Sequence, residues 1–118
     1  MVLVPRIAYD PKVKSKDGKI DFVLLAKTVA TQIRMLDNVI DLNFYPTKET
    51  EVSNMRHRPI GIGVQGLADA FILMDIAFHS EEAKVVNKRI FETIYYASME
   101  MSNKIAQEIA QEERTKSK

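Results

Sequence analysis

The sequence predicts a mainly α-helical chain carrying one or two short strands. Three observations carry that reading. Residues 22–42 hold apolar side chains at helical spacing with no glycine or proline among them. A second, longer run of the same kind follows Ser80. Between the two, only "PIGIGV", residues 59–64, shows the period-two alternation of a strand.

The elements follow in order. Residues 1–20 form an irregular N-terminal segment: Pro5 and Pro11 interrupt any helix, and Asp17-Gly18 is a turn signal. Within it "VLV", residues 2–4, is expected as a short strand. A helix is expected over about 21–43, with Asp21 as N-cap and Phe22, Ala26, Val29, Ile33, Leu36 and Ile40 as its apolar stripe, widened by Leu25 and Val39. "NFYP" ends it, because the residue before Pro46 is pushed out of the α region. "TKETEVSNMRHR" reads as a polar connection. The strand over about 59–64 would place Ile60, Ile62 and Val64 on one side and Gly61 and Gly63 on the other. A short helix over about 65–75 comes next. Ser80 then caps a long helix over about 80–110, with Glu81 and Glu82 at its positive end. Val86, Ile90, Ile94 (or Thr93), Ala97, Met101, Ile105 and Ile109 form its stripe. Residues 111–118 read as a polar, fraying tail.

Composition narrows the function classes. Seventeen basic against sixteen acidic residues leave a net charge of +1, which argues against nucleic-acid or membrane-surface binding through bulk charge. No apolar run approaches the roughly 18 residues that a membrane helix needs, and "MVLVPRIAYD" lacks the basic start of a signal peptide. Cysteine is absent, so this chain can form no disulfide, thiolate metal site or thiol nucleophile. A cytoplasmic location fits that absence.

Both long helices carry more apolar surface than one face needs. Val23, Leu24 and Met35 on the first, and Val85, Phe91 and Tyr95 on the last, lie off the main stripes. A helix apolar on several sides is buried on several sides. Three helices and one strand cannot cover one another that fully, and a lone strand needs partners for its backbone groups. The chain reads as part of a larger assembly.

Gly61, Gly63 and Gly66 spell G-x-G-x-x-G, the spacing of a dinucleotide turn. Such a turn follows a buried strand, and an acidic residue ends a second strand about 20 residues further on. Here basic residues and Pro59 precede the first glycine, and the acidic position falls on Glu81 and Glu82, which open a helix. The favoured reading is that the glycines allow close strand packing and a tight turn into the next helix. The cluster Arg56, His57, Arg58 could hold a phosphate or carboxylate, but pinning a loop is favoured. His79 reads as a loop histidine, and Tyr95 and Tyr96 as amphipathic packing residues. Asp69 and Asp75 lack partners at an acid–base spacing.

"SNMRHRPIGIGVQGLADAFILM", residues 53–74, closely resembles a stretch of the large, catalytic subunit of eukaryotic-type class I ribonucleoside-diphosphate reductase. The likeness extends to "VIDLNFYP" before it and "NKRIFETIYYASMEMSNKIA" after it, covering residues 21–110. The resemblance implies a fragment of a ten-stranded α/β barrel, with "RPIGIGV" as a barrel strand, helices outside it, and the glycines serving strand packing. It implies an oxidoreductase that makes deoxyribonucleotides for DNA synthesis. It also implies ATP and dNTP effectors, a radical generated by a small subunit, and partners in the remaining parts of the large subunit.

The departures bear on chemistry. The family reduces its substrate through a cysteine thiyl radical, and this sequence has no cysteine. The family's active-site loop lies upstream of the matched region; its phosphate loop and radical-relay tyrosine pair lie downstream, and Tyr95 and Tyr96 do not match that pair. No catalytic, cofactor-binding or metal-ligating residue is therefore assigned, and no cofactor is expected in this chain. Residues after Ala110 also depart from the family's continuation. The expected role is barrel scaffold within the reductase, inactive alone. The alternative is an autonomous helical interaction protein, or an inactive remnant, derived from that subunit.

Overall fold

The computed structural model describes residues 2–3 and 20–116. The expectations for residues 4–19, including the prolines and the Asp17-Gly18 turn, lie outside the described residues, as do residues 117–118. The elements run β1 (Val2–Leu3), α1 (Phe22–Leu42), α2 (Lys48–His57), β2 (Val64–Gln65), α3 (Leu67–Leu73) and α4 (Glu81–Lys116).

Capping defines α1 as the sequence predicts. Asp21 is extended, and its carboxylate accepts from the Leu24 N–H at 3.0 Å. The helix ends before Pro46, where the Tyr45 hydroxyl folds back and donates to the Ile40 carbonyl at 2.7 Å. Leu25, Val29, Ile33 and Ile40 are its buried residues, whereas Val39 of α1 and Ile109 of α4, expected on the stripes, are exposed because no described element lies over them. Ser80 caps α4 through the Ala83 N–H at 3.1 Å. That helix continues to Lys116, six residues past the expected 110, because the tail residues Gln111, Glu112, Glu113 and Arg114 are good helix formers with nothing to break them.

Helix α2 is a correction. The polar stretch expected as a connection is helical from Lys48 to His57, with Thr47 and Thr50 forming a reciprocal capping box. Glu49 and Glu51 lie in its first turn and Arg56 and His57 in its last, matching the helix dipole. It buries no residue, so its sequence carries no apolar stripe to betray it.

The strand is also shifted. Residues 59–63 carry no strand pairing, and β2 comprises Val64–Gln65. It pairs in parallel with β1, Val2 opposite Val64 and Leu3 opposite Gln65. Two parallel strands joined through α1 make a crossover of the βαβ kind. Among the described residues these two strands are the whole sheet, so the chain shows no ten-stranded barrel.

Helices α1 and α4 run side by side in the same direction. Arg89 lies over the Phe22 ring at 4.8 Å near their starts, and Arg34 meets Glu108 at 2.7 Å further along both. Leu25, Val29 and Ile33 of α1 share one buried cluster with Ile90, Ile94, Ala97 and Ile105 of α4 and with Ala70 and Phe71 of α3. Val29 and Ile90 have no exposed surface. The last turn of α3 ends in a Schellman motif, with the Ile76 N–H on the Phe71 carbonyl and the Asp75 N–H on the Ile72 carbonyl. No helix among the described residues is long and apolar enough to cross a membrane.

Candidate functional site

The glycine-bearing stretch leads from α2 into α3. Gly66 is the N-cap of α3 at φ 78°, a left-handed conformation that favours glycine, so the tight-turn role holds there. Gly61 and Gly63 differ. Neither has a positive φ, and a Cβ added to either would meet nothing within 4 Å. The close packing expected of them is absent among the described residues, because no element lies against that side of the chain.

The other side is apolar. Ile60 and Ile62 border a hollow of about 380 Å³ that reaches Ile33 of α1 and Phe91, Ile94, Tyr95 and Met99 of α4. Its polar groups are the hydroxyls of Tyr95, Ser98 and Ser102. That lining supplies shape and hydrophobic contact, with no charged group to orient a phosphate.

The basic cluster divides. Arg58 ends α2 in the left-handed region at φ 45° and ψ 53°, its N–H on the Asn54 carbonyl at 2.8 Å. Its guanidinium reaches across to α1. Nε donates to the Asp37 carboxylate at 2.8 Å, one terminal nitrogen to Asp41 at 2.8 Å, and the other to the Asp37 carbonyl and to Asp41, both at 2.9 Å. Hydrogen bonding from Arg58 holds the Asp41 carboxyl below its ordinary range, while the bonds to Asp41 and then Asp37 raise Arg58 further. The loop-pinning reading thus describes Arg58. His57 instead bonds the Ser53 carbonyl through Nδ1 at 3.0 Å, and Arg56 lies exposed beside Lys48, Glu49 and Val52.

The remaining candidates stand apart. His79 is exposed in the turn before Ser80. Asp69 is in the first turn of α3, and Asp75 takes the left-handed position of its Schellman motif at φ 56°. Tyr95 and Tyr96 are exposed, at 70% and 67%, so the packing expected of them has no counterpart among the described residues. No group of three or more His, Cys, Asp or Glu side chains is placed to hold a metal there. Sequence reasoning missed Asp37 and Asp41 as partners of Arg58. Their spacing of one helical turn was legible, but not which cation would reach them.

Fold and site define a mainly helical unit with one short parallel strand pair, organised around structural contacts. Residues 2–114 match the family described as the ribonucleotide reductase barrel domain. The large subunit of ribonucleoside-diphosphate reductase from monkeypox virus is 57% identical over 91 residues, 77% of this chain and 12% of that protein. The Caenorhabditis elegans large subunit is 57% identical over the same length. That of Arabidopsis thaliana is 50% identical over 107 residues, 87% of this chain and 13% of the relative. The chain belongs to the ribonucleotide reductase barrel-domain family. It spans about 12% of the length of the curated relatives it matches.

Proposed function

We propose that this chain acts as barrel scaffold in a ribonucleoside-diphosphate reductase large subunit and performs no catalytic step itself. One observation carries the reading: the apolar surface left over after the chain has folded on itself. Val23, Met35, Val85 and Phe91 stand 66%, 62%, 59% and 45% exposed on α1 and α4, and the described sheet is a two-strand parallel pair. Such surface belongs against further strands and helices of a parallel α/β layer. The want of cysteine removes the thiol on which the family's radical chemistry depends. Partners follow from both points: the remaining parts of a large subunit, and through them a small radical-generating subunit. Nucleotide effectors and substrate would bind those other parts, and the setting would be cytoplasmic.

Co-expression tests this. The chain is produced with a large subunit from which the matching segment has been deleted, together with the small subunit. The expected result is a purified complex containing this chain and ribonucleoside-diphosphate reduction above that of the deleted subunit alone. A deleted subunit that neither retains the chain nor gains activity overturns the proposal.

A further inference from the structure

We propose that Arg58 is a latch holding helix α2 as a strap across α1, and that α2 comes away and unfolds locally when the latch opens while the α1–α4 core stays closed. The inference is independent of the reductase reading.

Helix α2 has no buried residue, so hydrophobic burial does not fix its place. It is tethered at its two ends. Before it, the Tyr45 hydroxyl holds the chain to the Ile40 carbonyl at 2.7 Å, forming the hinge. After it, Arg58 places four hydrogen bonds on Asp37 and Asp41. Those carboxylates sit one turn apart on α1, where unpaired like charges repel, so the closed latch also relieves α1.

The backbone at Arg58 opposes the latch. A non-glycine residue at φ 45° is uncommon, and one standing directly before proline is biased toward extended conformations. Released from the carboxylates, Arg58 would relax toward an extended backbone, undoing the end of α2 and redirecting residues 59–63, where Ile60 and Ile62 border the apolar hollow. The closed state is therefore held by side-chain charge against a local backbone preference. Once the latch opens, neither burial nor backbone preference keeps the end of α2 in place.

Amide hydrogen exchange on the whole chain tests the latch. Wild type is compared with the double variant Asp37→Asn/Asp41→Asn, with Arg58→Gly and with Arg34→Ala. The double variant is expected to speed exchange in residues 51–57 by about tenfold or more, with residues 90–105 unchanged. Arg58→Gly is the sharper arm. Glycine relieves the left-handed strain, so if backbone geometry alone seated α2, exchange there would hold or slow; the latch requires it to rise. Arg34→Ala removes another exposed ion pair of α1 and is expected to leave α2 unchanged. Unaltered α2 exchange in the first two variants overturns the latch. So does acceleration shared equally by residues 90–105, or wild-type α2 exchanging at the rate of an unfolded peptide.

Discussion

Val2 stands opposite Val64 in a parallel strand pair, with the whole of α1 and α2 lying between them in the chain. A two-residue pair contributes little by itself, and parallel strands are ordinarily buried in larger sheets. The stability of the isolated chain therefore rests on α1 packing against α4.

That dependence yields a first prediction. Each large aliphatic side chain left in water forgoes about 1.5–3 kcal/mol of burial, and a domain's whole margin is about 5–15 kcal/mol. Val23, Leu24, Met35, Val85 and Phe91 are all exposed. The isolated chain is expected to be helical by circular dichroism yet to melt broadly, bind hydrophobic dye or self-associate. A sharp two-state melt from a monodisperse monomer would contradict this and favour an autonomous domain.

Core and surface substitutions should separate cleanly. Ile90→Ala empties a fully buried position between the helices, at a cost of about 2–5 kcal/mol, enough to unfold so marginal a chain. Arg34→Ala removes the pair with Glu108, whose side chains are 45% and 40% exposed, and should cost below about 1 kcal/mol. Urea unfolding followed by far-ultraviolet circular dichroism reads both. Equal effects would show that the α1–α4 contact is not apolar in origin.

With no thiol available, the purified chain is expected to reduce no ribonucleoside diphosphate, with or without a small subunit. Product formation above background, measured by chromatography of the nucleosides, would refute the scaffold role.

The glycine spacing makes its own forecast. Since Gly61 and Gly63 bound open space and the adjoining hollow is apolar, calorimetry should detect no saturable nicotinamide or adenine nucleotide at sub-millimolar concentration. A one-site isotherm abolished by Gly63→Val would restore a phosphate cradle at this turn.

Acid should weaken the α1–α2 contact. Asp41 faces Arg58, and their hydrogen bond lowers its carboxyl below the ordinary 3.8. A carboxyl depressed in the folded state contributes its full stability above 3.8 and loses it as pH falls through the lower folded value. Exchange in α2 should consequently be flat from neutral pH down to about 4, after correction for intrinsic rates, and rise below that. A rise centred near pH 6 would implicate a histidine instead.

The starts of α1 and α4 were legible because their signals are local. Asp21 and Ser80 bond amides three residues ahead, and the apolar repeat needs no knowledge of what covers it. Helix α2 escaped notice because its signals lie in its caps while periodicity, the stronger cue, is missing from a helix that buries nothing. Residues 59–63 have the alternation of a strand yet pair with nothing described, since pairing depends on a partner that alternation cannot specify.

By itself, then, the amino-acid order determined where the long helices begin and that this chain offers no thiol. It also determined that α1 and α4 carry more apolar surface than they can hide from each other. Only the tertiary structure decided that these helices run in the same direction, that Val2 meets Val64, and that Arg58 rather than Arg56 crosses to Asp37 and Asp41. Caps and periods are properties of a few neighbouring residues, whereas direction, register and the choice of ion-pair partner depend on segments far apart in the chain meeting in space.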